Sequence, residues 1–103
     1  MRSTRMIQYT TKPECADENE SLVAAVFAEL AISAPPGFSY ASYRTGDSFV
    51  HIVTQDEDDN PLRQSPAFAA FQDGIATRCL TGPTPSPAVL VGSYDAEAGP
   101  SAL

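Results

Sequence analysis

FSYASYRTGDSFVHIVT, residues 38 to 54, carries the pattern that decides the fold. Two runs rich in Tyr, Phe, Val and Ile flank Thr45-Gly46-Asp47-Ser48, and Gly46 supplies the positive φ that a tight turn needs, so the stretch predicts a β-hairpin. With Gly46 and Asp47 as the central turn residues, Arg44 faces Phe49, Ser42 faces His51 and Tyr40 faces Val53. Side chains alternate along a strand, so these six share one face of the hairpin, while Ala41, Tyr43, Val50 and Ile52 share the other. The second set is smoother and more aliphatic, which predicts that helices cover it. The first set is then left uncovered, and there the sequence concentrates groups able to bind or transform a ligand.

On the N-terminal side of the hairpin, Arg5 to Thr11 alternates weakly and is β-branched or aromatic at Ile7, Tyr9, Thr10 and Thr11, which predicts a first strand ended by Lys12-Pro13. A helix is expected next, with Asp17 as its cap and Glu20 completing a capping box. Leu22, Val23, Val26, Phe27 and Leu30 then form one apolar stripe, and Pro35-Pro36-Gly37 stops the helix. On the C-terminal side, Gln55 to Pro61 is an acidic loop. Ser65-Pro66 pairs an N-cap residue with a proline at the first helical position, and Phe68, Phe71, Ile75 and Cys79 give this helix its buried stripe, ending near Gly82. The proline-rich Thr81 to Pro87 predicts a stiff connector. Ala88 to Tyr94 predicts a fourth strand, apolar on both sides at its start.

The order β-α-β-β-α-β is the ferredoxin-like pattern, an α+β fold with one four-stranded antiparallel sheet and two helices on one face. Residues 1–95 are expected to form this single domain and residues 96–103 a flexible tail. Because two helices cover only one side of such a sheet, the apolar and aromatic residues of the other side call for a second copy of the chain, a homodimer.

Composition narrows the function classes. The chain has 103 residues, enough for one domain, and a formal net charge of −7 with only six Lys and Arg, which argues against nucleic acid and anionic membrane surfaces as partners. No apolar run reaches the length of a signal peptide or a membrane span, so a cytoplasmic protein is expected. Cys15 and Cys79 lie far apart without a metal or redox spacing, and both are expected as reduced thiols.

Four short stretches carry a resemblance: Ile7-Gln8-Tyr9-Thr10-Thr11-Lys12-Pro13 opening into a helix, Ser48-Phe49-Val50-His51-Ile52 in the third strand, Ser65-Pro66-Ala67-Phe68 at the second helix start, and Val91-Gly92-Ser93-Tyr94. Together, over residues 6–94, the chain resembles the dimeric α/β-barrel superfamily and, within it, small proteins similar to antibiotic-biosynthesis monooxygenases. The resemblance implies two sheets facing each other in a homodimer and a pocket between sheet and helices. It also implies, for some members, oxygenation of small aromatic polyketides without metal, flavin or other cofactor. Two departures stand out: Leu62 occupies a position where many relatives have His, and the chain has no Trp.

His51, the one histidine, is then the candidate base for deprotonating an acidic phenol or enol, with Tyr40, Ser42, Arg44 and Gln8 as candidate ligand-binding residues. The alternative is a non-catalytic ligand-binding or structural homodimer in which Arg44 pairs with an acidic residue while Tyr40 and His51 fill an interface. On this reasoning, a His51 found beneath the helices, packed against Leu22 or Phe71, sinks the hypothesis of a ligand pocket lined by Tyr40, Ser42, Arg44 and His51.

Overall fold

The computed structural model describes residues 2–56 and 58–95; the expected tail, 96–103, lies outside the described residues. The elements run in the order β1 (Arg2–Thr11), α1 (Ala16–Ser33), β2 (Ser39–Thr45), β3 (Ser48–Asp56), α2 (Pro66–Gln72), α3 (Ile75–Arg78) and β4 (Cys79–Ala88), with short 3-10 turns at Pro13–Cys15 and Pro61–Gln64. They build a four-stranded antiparallel sheet in the order β2-β3-β1-β4 with the helices against one face, the ferredoxin-like α+β fold.

The hairpin forms in the expected register: Tyr40 pairs with Val53, Ser42 with His51 and Arg44 with Phe49, around a turn in which Gly46 has φ +60°. Its faces are the reverse of the expected ones. Phe49, His51 and Val53 lie buried beneath the helices, where Tyr9, Val23, Val26, Leu62 and Phe71 complete the core. Ala41, Tyr43, Val50 and Ile52 lie on the open side, with Tyr43 well exposed. The physical reason lies in volume. Val23 and Val26 on α1 are small, and large rings on the sheet fill the space between layers that they leave.

Three local readings also change. Cys15, not Asp17, precedes the first residue of α1, and no side chain caps it; Asp17 and Glu20 instead both bind Arg44 across the surface, at 3.0 and 2.9 Å. The helix expected from Ser65 to Gly82 starts as predicted, Ser65 Oγ accepting from the Phe68 N–H at 2.9 Å, but breaks at Asp73-Gly74, where Gly74 has φ +79°. The side chain of Arg78 turns back from α3 and donates to the carbonyls of Phe71 and Asp73, which the break leaves without helical partners.

The proline-rich connector is itself the fourth strand, and the strand expected at Ala88 to Tyr94 is irregular after Ala88. Pro83, Pro85 and Pro87 alternate, so all three ring nitrogens face the same side of β4. With β4 at the edge of the sheet, that side is the outer one, and Thr84, Ser86 and Ala88 keep their N–H groups for β1 opposite Gln8, Met6 and Thr4. Ser86→Pro therefore removes a ladder bond and is expected to cost about 1–3 kcal/mol in a denaturation experiment. Pro85→Thr is expected to cost less than about 1 kcal/mol, its effect coming from the unfolded chain.

Candidate active site

The face of the sheet beneath the helices holds a row of aromatic rings. Tyr9 stacks on Phe49 and on His51 at centroid separations of 5.4 and 5.3 Å, His51 meets Phe71 at 5.6 Å, and Tyr40 packs against Phe27 at 4.7 Å. His51 thus sits against Phe71, and the expected pocket of Tyr40, Ser42, Arg44 and His51 does not form. A cavity of about 260 Å³ lies instead between sheet and helices. Tyr9, Tyr40, His51, Phe68 and Phe71 give it aromatic walls, Ile7, Val53, Leu62 and Ile75 aliphatic ones, and Arg5, Gln55, Asn60 and Gln72 stand among its polar residues.

One hydrogen-bonded chain runs through this wall. Arg78 Nε donates to Asn19 Oδ1 at 3.1 Å, Asn19 Nδ2 donates to the Tyr9 hydroxyl at 2.9 Å, that hydroxyl meets His51 Nε2 at 2.7 Å, and His51 Nδ1 meets the Tyr40 hydroxyl at 2.6 Å. Its direction follows from what each atom can do. A guanidinium only donates, which fixes the Asn19 amide with its NH2 toward Tyr9. The Tyr9 hydroxyl accepts that bond, and among the described residues His51 is its only other partner. Its proton therefore goes to Nε2. The ring proton then sits on Nδ1 and is donated to Tyr40, whose own proton is left for the cavity. This tautomer is assigned from the network.

Burial keeps the chain neutral beyond Arg78. It pushes the His51 pKa from 6.5 down to about 4, pushes Tyr9 up to about 12 against the opposing Asn19 bond, and raises Tyr40 further still. A neutral His51 with both nitrogens engaged is a poor resting base. It holds Tyr40 as a donor.

The other residues singled out from the sequence are dispersed. Ser42 lines a separate shallow depression with Arg44, Glu20 and Phe27. Arg44 is held by Asp17 and Glu20 and lies over the Phe49 ring, 5.6 Å from its centroid. The expected alternative for Arg44, pairing with acidic residues, is what occurs. Gln8 is exposed on the open face, bonded to Met6 Sδ, because it alternates with Tyr9 on β1. Tyr9, Asn19 and Arg78 were not among the candidates. Asn19 had a signal in its position on the buried stripe Ala16, Asn19, Val23, Val26, and Arg78 in its spacing from Phe71 and Ile75.

No family model matches the sequence, and no curated protein matches it. Solved structures do. A Mycobacterium tuberculosis protein, Rv0793, superposes with a TM-score of 0.71 at 14% identity, covering 92% of this chain and 100% of its own. A Caulobacter crescentus protein described as a candidate antibiotic biosynthesis monooxygenase gives 0.70 at 14%, over 87% and 90% of the two chains. SnoaB, a cofactor-independent oxygenase from Streptomyces nogalater solved as a single-residue variant, gives 0.62 at 20%, over 89% and 95%. The chain therefore has the ferredoxin-like fold of antibiotic biosynthesis monooxygenase-like proteins. Among the described residues no helix is long and apolar enough to cross a membrane.

The low pKa of His51 has a consequence for stability. Below its unfolded value of 6.5 the unfolded chain takes up a proton that the folded chain refuses until about pH 4. Stability is then complete above pH 6.5 and falls as the pH is lowered toward 4, by on the order of 3 kcal/mol. Denaturant titrations of the native protein across this window are expected to show a loss that His51→Gln, which does not titrate, lacks; equal pH dependence in the two would mean that His51 titrates normally.

Proposed function

We propose that the protein is a cofactor-independent monooxygenase acting on a small hydroxylated aromatic compound held in the cavity beneath the helices. One observation carries this reading: the hydrogen-bonded chain from Arg78 to Tyr40 ends on an aromatic-lined cavity with a donor to spare. A void of about 150 Å³ accepts benzene, so 260 Å³ suits one or two fused rings. In a phenol of this kind the keto tautomer has a methylene group. Tyr40 donates to the substrate oxygen, and that bond strengthens as the oxygen gains negative charge on loss of a methylene proton to solvent. The resulting carbanion reacts with dioxygen. One oxygen atom stays on carbon as a new carbonyl, and the other leaves as water with the two methylene hydrogens. His51, Tyr9, Asn19 and Arg78 act through Tyr40 as positioning residues.

The similarity of fold to a cofactor-independent oxygenase supports this reading, as does a polar chain that needs no metal or flavin to polarise a phenol. The non-catalytic alternative, a ligand-binding homodimer, draws on the weak basicity of His51. Naphthalene-1,5-diol under isotopically labelled dioxygen separates the two. The enzyme is expected to form the hydroxynaphthoquinone with one labelled oxygen, and Tyr40→Phe, which still folds but loses about 1–3 kcal/mol because the buried His51 Nδ1–H is left without its acceptor, to lower the rate by about 10²–10³. Binding of the diol without oxygen uptake above the uncatalysed rate would leave the binding protein.

The same reading includes a homodimer in the cytoplasm, formed through the open face of the sheet. Val50, Ile52, Ala41, Met6 and the exposed Tyr43 lie there, and beyond β4 the segment Val89-Leu90-Val91 stands in water, Val91 fully so. A β-branched, apolar segment without a partner among the described residues fits a strand completed by a second copy. Sedimentation at micromolar concentration is expected to give a dimer for the native protein and a shift toward monomer for Val91→Asp. A native monomer would end the dimer proposal.

A further inference from the structure

Among the described residues, the Oε1 atom of Gln55 is a buried side-chain acceptor with no hydrogen-bond partner. Gln55 lies near the end of β3, four residues beyond His51 and on the same face, and lines the same cavity. Leaving such an acceptor without a donor is destabilising, so native structures rarely keep one without a use. The neighbouring Asn60 accepts the N–H of Leu62 through its Oδ1 at 3.1 Å, and its Nδ2 makes no bond to Gln55 Oε1. Two residues of unlike polarity thus stand along the cavity, Tyr40 with a spare proton and Gln55 with a spare lone pair. Four residues of strand separate His51 from Gln55, roughly 13 Å between backbone positions.

We propose that Gln55 is a specificity-determining residue, and that the ligand is a flat aromatic compound with an oxygen acceptor at one end, for Tyr40, and a hydroxyl or N–H donor at the other, for Gln55. The proposal rests on the cavity as the ligand site and deepens that reading. A site whose buried polar atom waits for a donor discriminates against an analogue lacking it, because that analogue leaves the atom unpaired while excluding water from it. The ligand then lies with its long axis along β3, its ring edges between Phe71 and Val53.

The test compares naphthalene-1,5-diol with its dimethyl ether, which keeps both oxygens as acceptors for Tyr40 and has no proton to donate to Gln55. Calorimetric titration of the native protein is expected to favour the diol by about tenfold. In Gln55→Met, close in length but without the amide, the ratio is expected to fall to about one. Gln55→Glu, which retains an accepting oxygen, is expected to preserve it. Tyr40→Phe is expected to weaken both compounds alike and leave the ratio unchanged, a split that a general loosening of the cavity would not give. Equal binding of the two compounds by the native protein, or a ratio that survives in Gln55→Met or vanishes in Gln55→Glu, overturns the role of Gln55 and leaves the cavity reading intact. Should Gln55→Met fail to fold by circular dichroism, the native ratio and the Gln55→Glu ratio decide. If neither compound binds the native protein, the cavity reading fails and this inference fails with it.

Discussion

The buried guanidinium of Arg78 is the constraint on which the rest of the site depends. Only 6% of this residue is exposed, and moving a cation out of water costs several kcal/mol unless fixed dipoles replace its hydration. The carbonyls of Phe71 and Asp73 and the amide of Asn19 do so, and the Phe71 ring lies 5.6 Å from the guanidinium carbon. Each partner is thereby fixed in turn. The carbonyls belong to the break between α2 and α3, so the same contact that solvates the charge also shapes the chain that leads into β4. Asn19 is held from the α1 side, and its amide has one orientation left.

From that fixed amide the polarity of the whole chain follows. A positive charge at one end and neutral groups thereafter bias each hydrogen bond in the same sense, and bonds in series polarise one another in a low-dielectric interior. The hydroxyl of Tyr40 is a stronger donor than an isolated tyrosine for this reason, although the charge that biases it sits at the far end of the chain, on Arg78. Such a device favours an oxygen that is becoming negative over one that stays neutral. It does so while its own cation, Arg78, stays buried.

Much of the architecture was legible because local signals and global pattern agreed. Gly46 set the turn, the turn set the register, and Ser65-Pro66 set the start of α2. The side of the hairpin that the helices cover was not legible. Alternation sorts residues into two faces but does not say which face is inside, and here the aliphatic face, with Val50 and Ile52, is the open one. Arg78 and Asn19 were hidden for a related reason: a polar residue on a helix normally points to water, and nothing local announces that two of them meet in the core. The prolines of β4 misled because proline breaks strands in the middle of a sheet and is tolerated at its edge, and strand order is a property of the whole fold. His51 was found for its chemistry, in a face assigned to the wrong side.

The placement of those prolines also limits how the sheet can grow. An edge strand normally offers a row of N–H and C=O groups to any other extended chain, and a sheet with two open edges can propagate without end. Pro83, Pro85 and Pro87 leave the outer side of β4 without those donors, so the sheet has one closed border and one open border, at β2. Edge-to-edge pairing is then confined to two sheets meeting through β2 by a twofold axis, after which no free border remains. A protein with an apolar open face is thereby guarded against fibre formation by its own terminal strand.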